Sequence, residues 1–139
     1  MDYTDARPTA SSSPDPFGTR TLAEVGPTDV IEALRRNRTI DITTTGAKSG
    51  RPRRIETWAW VDGDTLYLTG SPGRRDWYAN LRAHPNFTLH LKHGVQADVH
   101  VRARPIVDHA ERRPIFERLR PAQADAWTER SPLVEVEFS

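Results

Sequence analysis

Apolar and polar residues alternate along several stretches of this chain, and the alternation predicts β-strands. The stretches are residues 40–45, 53–61, 65–69, 87–91 and 134–138. The clearest alternation has an apolar face formed by Val95, Ala97, Val99, Val101 and Ala103. Because the residues between them are polar, this strand is expected to have one buried and one solvated face.

Helical spacing of apolar residues predicts short helices between the strands. Residues 27–38 and 76–83 show this spacing, and Thr28 is the expected N-cap of the first helix. The apolar residues expected to face the core are Val30, Ile31, Leu34, Trp77, Tyr78 and Leu81.

A third helix is predicted around Phe116 and Leu119. Asp108 and Glu111 have the spacing of a capping box at its beginning. Pro114 has no backbone N–H to donate, so it is expected to start, kink or break this helix.

Turn residues join most of the strands as hairpins. Asp62-Gly63 is a hairpin signal, and Lys92-His93-Gly94 indicates another turn. No repeated β-α-β pattern is present in the sequence. About six strands with two or three short helices therefore predict an α+β fold, with an antiparallel sheet curled into a small barrel.

The beginning of the chain has a different composition. It is rich in Ser, Pro, Thr and Asp, as in the SSSPDP stretch of residues 11–16, and it contains few apolar residues. Such a segment offers too little apolar surface to offset the entropy lost on ordering. We expect a disordered arm over residues 1–26 and one barrel domain over residues 27–139.

The composition excludes several kinds of site. The 139-residue chain has no cysteine, which excludes disulfides, thiolate catalysis and sulfur-ligated metals. No apolar run reaches the roughly 18 residues of a membrane helix, and no signal-peptide pattern is present. A cytoplasmic protein without a membrane span is expected. The five histidines show no metal-ligand spacing and are expected on the surface, so no metal site is predicted.

The basic residues are clustered, although the net charge is only +1. The first cluster lies within residues 43–54 (TTTGAKSGRPRR) and contains Lys48, Arg51, Arg53 and Arg54. Gly46 and Gly50 allow backbone N–H groups to converge on an anion, and the ammonium, guanidinium and hydroxyl donors suit a phosphate. The segment is either an anion-binding loop or a solvated connector between two strands.

A second basic cluster lies within residues 71–81 (SPGRRDWYANL), where a glycine loop with Arg74 and Arg75 leads into a helix. Helix N-termini favour anions. Alternatively, the arginines are surface residues, and Trp77 and Leu81 are core contacts. Because the two clusters flank one aromatic hairpin, together they could hold the phosphate end and the ring end of a cofactor.

Three motifs in this order resemble the deazaflavin-dependent nitroreductase-like family of the split β-barrel flavin-binding superfamily. They are TTTGAKSGRPRR, WAWVDGDTLYL and SPGRRDWYANLRAHP, and the resemblance covers about residues 39–104. It implies a split β-barrel that binds coenzyme F420. It also implies hydride transfer to a small organic acceptor such as a quinone, a nitro compound or an activated enone. Split barrels often form homodimers, so a homodimer is a further expectation.

The same resemblance implies a set of cofactor-binding residues. Those expected at the phosphate or the anionic tail are Lys48, Ser49 and Arg53. Those whose backbone would line the ring are Glu56, Thr57 and Trp58. Those expected to close over the phosphate are Gly70, Ser71, Arg74 and Arg75, and those expected to brace that loop are Trp77 and Asn80.

Two residues depart from the family pattern. Ala47 stands where many members have a basic residue, so one contact to the tail is absent. Glu56 stands where an apolar residue or a proline is common. A buried Glu56 needs a partner, and Arg53 or Arg54 is expected to provide it.

The cofactor would carry the redox chemistry, while the protein orients the ring and excludes water. No catalytic side chain is identified, although Tyr78, His90, His93 or His100 could supply a proton. The alternatives are an FMN-binding split-barrel oxidase or reductase, and a non-catalytic barrel that holds the cofactor or a lipid. Nucleic-acid binding is not expected, because basic and aromatic residues are not interleaved along an exposed strand.

Overall fold

The computed structural model describes residues 25–138, so residues 1–24 of the expected arm lie outside the described residues. The described part forms six strands and four α-helices. In chain order these are α1 Pro27–Arg36, β1 Thr39–Thr45, β2 Pro52–Asp62, β3 Thr65–Thr69, α2 Asp76–Ala83, β4 Asn86–Leu91, β5 Ala97–Pro105, α3 His109–Leu119, a 3₁₀ turn at Pro121–Gln123, α4 Ala124–Arg130 and β6 Leu133–Phe138.

The six strands close into a barrel in the order β1-β2-β3-β6-β5-β4. Every neighbouring pair is antiparallel, including the β1–β4 pair that closes the barrel. Closure leaves no open sheet edge with unpaired backbone groups. The predicted α+β antiparallel barrel is therefore confirmed, with β2–β3 and β4–β5 as hairpins.

The main core fills the barrel and extends to two helices. Its fully buried strand residues include Ile40, Ile42, Ala59, Leu66, Leu68, Leu89 and Val99. The apolar face of α1 packs against this core, and so do Trp77 and Leu81 of α2. Both helices thus shield barrel residues from water, which is the main stabilising contribution expected of such amphipathic helices.

A second core lies between the outer surface of the barrel and the α3–α4 region. It contains Trp60, Tyr67, Ile106, Ile115, Phe116, Ala124 and Leu133. Trp58 and Trp60 share a face of β2, but only Trp60 is covered: it is 8% exposed, whereas Trp58 is 55% exposed. The α3–α4 region therefore covers the Trp60 ring and leaves the Trp58 ring exposed.

The N-terminus of α1 differs from the prediction. The helix begins at Pro27, and its N-cap is Gly26 rather than Thr28. Proline suits the first helical position, because its missing N–H would have no partner there. The Asp29 carboxylate accepts a hydrogen bond from the Gly26 N–H at 3.2 Å, which completes the cap.

The α3 region also differs from the prediction. The helix continues through Pro114, which is exposed, so the carbonyl that loses its partner can be hydrated. The side chain of Asp108 makes no cap, and Glu111 binds Arg104 at 2.6 Å instead of closing a capping box. The fourth helix, α4, was not predicted, since its segment has too few apolar residues to show a helical period.

The most regular strand, β5, has the predicted alternation from Ala97 to Ala103. Val95 was expected to belong to it but lies before its first residue and is 38% exposed. The turn that includes Gly94, with a φ of 72°, separates Val95 from the barrel.

Candidate functional site

The β1–β2 loop, residues 46–51, is held mainly by its own backbone. The Gly46 N–H donates to the Arg51 carbonyl at 2.8 Å, and the Gly50 N–H donates to the Gly46 carbonyl at 3.0 Å. The Ser49 hydroxyl accepts the Arg51 N–H at 3.1 Å and lies where a side chain at Gly46 would clash. Among the described residues, the N–H groups of Lys48 and Ser49 have no partner in this loop.

Helix α2 fixes the position of this loop through Asn80, which is only 8% exposed. The Asn80 Oδ1 accepts the Ala47 N–H at 2.8 Å, and its Nδ2 donates to Thr44 Oγ1 at 3.1 Å. Asn80 was expected to brace the loop that precedes α2. It braces the β1–β2 loop instead, because the helix places its side chain on the side that faces β1.

The β3–α2 loop, residues 70–75, is folded around the side chain of Arg75. Its Nη2 donates to the Ser71 carbonyl at 3.0 Å and lies 3.2 Å from Ser71 Oγ. A Cβ added at Gly70 or Gly73 would stand 3.3 or 3.2 Å from the guanidinium, and Gly73 also has a φ of 138°. Arg75 therefore shapes the loop, and the φ of Gly73 favours glycine at that position.

A cavity of about 360 Å³ opens between β2, the β3–α2 loop and the α3–α4 region. We call it the tryptophan cavity, because all four tryptophans of the chain line it. Its lining consists of Thr57, Trp58, Trp60, Thr69, Gly70, Ser71, Arg75, Trp77, Arg120 and Trp127. Its volume is within the range of small-molecule sites.

The predicted site residues divide into two groups around this cavity. Those that line it are Thr57, Trp58, Gly70, Ser71, Arg75 and Trp77. Those that do not are Lys48, Ser49, Arg53, Glu56, Arg74 and Asn80. Helix α2 connects the two groups, since Trp77 lines the cavity and Asn80, one turn later, holds the β1–β2 loop.

Part of the cavity lining was not predicted from the sequence. Thr69, Arg120 and Trp127 line the cavity but were not predicted as site residues, and Trp60 was included only as part of the WAWVDGDTLYL motif. Trp127 packs edge-on against Trp60 with ring centroids 6.3 Å apart. Trp127 stands alone among polar residues in the sequence. This could have indicated that it packs against another part of the fold, because so large an apolar side chain seldom lies free on a surface.

The expected pairing of Glu56 is wrong. Its side chain is 60% exposed and pairs with Lys92, not with an arginine. Lys92 also binds Asp41 at 2.7 Å, and Arg54 binds the same carboxylate at 3.0 Å. Burial raises the pKa of Asp41, but Lys92 and Arg54 outweigh it and hold this pKa below its usual value. Arg54 of β2 and Lys92, which follows β4, thus belong to one ion-pair network with Asp41 and Glu56.

His90 departs from the expectation that the histidines lie on the surface, since it is 7% exposed. Its Nδ1 lies 2.7 Å from Asp98 Oδ1, and its Nε2 lies 2.7 Å from Thr43 Oγ1. None of the suggested proton donors lines the tryptophan cavity; Tyr78 lines a separate cavity of about 300 Å³.

The pKa of Asp98 gives a testable dependence of stability on pH. The hydrogen bond with His90 lowers this pKa below 3.8, against the opposing effect of burial. A carboxyl whose pKa falls on folding stabilises the protein above its unfolded pKa, and loses that effect as pH falls through the folded value. The stability difference between wild type and Asp98→Asn should therefore be fully present near neutral pH and should disappear at acidic pH, as the pH falls through the lowered pKa of folded Asp98.

Urea unfolding across this pH range measures the effect, which should be of order 1 kcal/mol or less because Asp98 is half exposed. Asp64→Asn is the matched control, since that side chain is fully exposed. A difference that stays constant down to acidic pH would show that the Asp98 charge contributes nothing.

Residues 25–138 bear on two other kinds of site, a metal centre and a membrane-spanning helix. Within this range no three His, Cys, Asp or Glu side chains are grouped so that they could hold a metal ion. No helix of the described part combines the length and the apolar character that crossing a membrane requires.

Comparison with known proteins gives one family and a set of structural neighbours. The model of the F420H(2)-dependent quinone reductase family matches residues 20–138. This range contains every element of the barrel and every residue that lines the tryptophan cavity.

Several solved structures are similar over most of the chain. An F420-H2 dependent reductase is 22% identical, with a TM-score of 0.50, over 73% of this chain and 95% of that chain. A conserved hypothetical protein from Mycobacterium tuberculosis is 17% identical, with a TM-score of 0.57, over 84% of each chain. A FAD-binding protein from Mesorhizobium loti is 17% identical, with a TM-score of 0.56, over 81% of this chain and 87% of that chain. At these identities the likeness concerns the fold.

Proposed function

The chain belongs to the F420H(2)-dependent quinone reductase family, and we propose that it holds the cofactor ring in the tryptophan cavity and the phosphate beside the two loops tied by α2. The resemblance seen in the three sequence motifs is confirmed, and the protein is an F420-dependent oxidoreductase. The observation that carries the proposed binding mode is the link through α2, which joins Trp77 in the cavity to Asn80 at the β1–β2 loop.

The cavity suits a flat aromatic ring. Its volume of about 360 Å³ is bounded by indole rings and by the glycine loop, and none of the carboxylates of residues 25–138 lines it. Thr57 and Trp58 would present the edge of β2 to the ring, as the family pattern implies. Stacking on indoles and exclusion of water would fix the ring face.

The phosphate and the tail would lie nearer the loops. The first N–H groups of α2 and the side chain of Arg74 form one set of donors, at a helix end that favours anions. Lys48 and Ser49, whose N–H groups have no described partner in the β1–β2 loop, form a second set with Arg53. Arg75 would act indirectly, by holding the loop in shape.

When bound, F420H2 supplies a hydride to a small organic acceptor. The residues of this chain bind and orient the two molecules and keep water from the ring. The acceptors that we propose are quinones, nitro compounds and activated enones. A homodimer stays a prediction, which sedimentation velocity can measure.

The double variant Lys48→Ala with Arg53→Ala is expected to weaken F420 binding about a hundredfold, since each lost charged contact costs about 1.5 kcal/mol. The loss should shrink as salt is added, because ions screen exposed charges. Titration followed by the fluorescence of F420 measures the affinity of each protein.

The control is Arg36→Ala with Arg102→Ala, which removes the same charge from exposed positions on α1 and β5. Equal affinity of the two double variants would assign the phosphate and tail to other residues. It would leave the family assignment untouched.

FMN is the second candidate cofactor, since it also combines a planar tricyclic ring with a phosphate. The same cavity and donors would serve it, and a FAD-binding protein is among the structural neighbours. Parallel titrations with F420 and FMN decide between them, and tighter binding of FMN would overturn the choice of F420 for this chain.

A further inference from the structure

The α3–α4 side of the tryptophan cavity is not used by the proposed cofactor site. It is formed by Arg120 and Trp127, which pack on Trp60 of β2, whereas the residues assigned to the ring and the phosphate lie elsewhere on β2, in the β1–β2 and β3–α2 loops and on α2. Two hydrogen-bonding groups on this side lack acceptors among the described residues: the terminal nitrogens of Arg120 and the indole N–H of Trp60.

Arg120 is held in a defined position. Its guanidinium carbon lies 5.0 Å from the ring centroid of Trp127 and 5.7 Å from that of Trp60. Its Nε donates to Gln123 Oε1 at 3.0 Å, which leaves both terminal nitrogens available. A guanidinium placed over indole faces keeps its charge and its planar edge for a further partner.

The electrostatic setting of Arg120 favours an anion. In the described part of the chain it forms no ion pair, unlike its neighbours Arg113 and Arg118 on α3, and the cavity lining contains no Asp or Glu. Arg75, the other cation of the lining, is already bonded to its own loop. Trp60 is 8% exposed and its N–H is buried without an acceptor. Because this N–H is shielded even from water, the donors open to a ligand on this side of the cavity are the terminal nitrogens of Arg120.

We propose that Arg120 is a specificity-determining residue that binds an anionic group, a carboxylate or a sulfonate, on a planar aromatic acceptor. The inference rests on the proposed function, because the acceptor must lie in the same cavity as the cofactor ring. The anionic group would contact the terminal nitrogens of Arg120 and the aromatic part would pack on the indoles.

The test compares a neutral quinone, menadione, with an anionic one, 1,4-naphthoquinone-2-sulfonate. Wild type, Arg120→Ala, Arg120→Lys and the control Arg118→Ala are each titrated without cofactor, and quenching of tryptophan fluorescence is recorded. The signal comes from the cavity, since all four tryptophans line it, and a chain without cysteine has no thiol for the quinone to alkylate. Steady-state reduction with F420H2 is then measured for both quinones.

Arg120→Ala should weaken binding of the sulfonate about thirtyfold and raise its KM by a similar factor, with kcat little changed. The affinity of Arg120→Ala for menadione should differ from that of wild type by less than about threefold. Arg120→Lys should recover part of the lost affinity for the sulfonate, and Arg118→Ala should bind both quinones as wild type does. Equal losses for both quinones, or a loss of F420 affinity without a change in quinone preference, would overturn the proposal. Because quenching needs no cofactor, failure of wild type to bind F420 would count against the proposed function alone.

Discussion

Replacement of Trp77 by alanine is expected to lower the free energy of unfolding by about 3–5 kcal/mol, the usual cost of removing a buried aromatic side chain. Trp77 is 7% exposed and packs into the barrel core with Leu81. It also lines the tryptophan cavity, so the surviving folded protein should bind F420 less well. Urea unfolding followed by far-ultraviolet circular dichroism measures the stability without depending on tryptophan emission.

Trp58→Ala is the matched control, because Trp58 lines the same cavity but is 55% exposed. Its removal should change the free energy of unfolding by roughly 1 kcal/mol or less, while F420 binding falls. If Trp77→Ala kept the wild-type unfolding curve and lost only F420 binding, Trp77 would be a ligand contact rather than a core residue.

Replacement of Arg112 by methionine is the second change with a large expected effect. Arg112 is 6% exposed, and burial lowers its pKa, yet within residues 25–138 no carboxylate forms an ion pair with its guanidinium. Instead it donates to carbonyls at the end of α4 and after β5, namely those of Thr128 at 2.7 Å, Ile106 at 2.7 Å, Trp127 at 3.4 Å and Ser131. It therefore caps α4, whose C-terminal carbonyls attract a cation.

Methionine keeps much of the side-chain volume but leaves these carbonyls without a donor. The expected loss is roughly 3–5 kcal/mol, as when a buried polar network loses one partner. Because α4 carries Trp127, the tryptophan cavity should also change shape, and quinone quenching should weaken. Thermal and urea unfolding measure the first effect, and the fluorescence titration measures the second.

Arg113→Met is the control for this change. Arg113 follows Arg112 on α3 but is partly exposed, and it pairs with Glu117 and Asp125 on the surface. Its loss should cost about 1 kcal/mol or less. Similar unfolding curves for the two variants would show that the carbonyl cluster around Arg112 does not stabilise α4.

The sequence alone predicted those helices and strands in which buried residues recur at regular spacing within one segment. β5 and α2 were predicted from the spacing of their apolar residues, because a strand or a helix buries every second or every third to fourth residue. The hairpin at Gly63 was also predictable, since its φ of 61° requires a residue of this kind. In contrast, α4 has too few apolar residues to show its period, and Pro114 lies inside a helix that the sequence suggested it would interrupt.

The β1–β2 and β3–α2 loops of the proposed cofactor site also combine features that the sequence predicts with contacts that only the fold creates. Gly46, Gly70 and Gly73 could be assigned to loops from the sequence, but only the folded loops show that a Cβ at Gly46 or Gly70 would meet the side chain of Ser49 or Arg75 and that Gly73 has a φ of 138°. The partner of Asn80 could not be foreseen, because Ala47 lies 33 residues away in the chain. Glu56 was assigned the wrong partner for a similar reason, since Lys92 reaches it only after β4 pairs with β1.

The first basic segment was predicted to be half of a cofactor site from composition, order and family motifs, since these depend on residue types along one short stretch. Its assignment as the phosphate and tail site stays a prediction. The fold then placed Trp60, Arg120 and Trp127 in one cavity, although they come from β2 and from the α3–α4 region. Closure of the barrel and the packing of α4 bring them together, and contacts between distant segments leave no periodic signal in a single sequence.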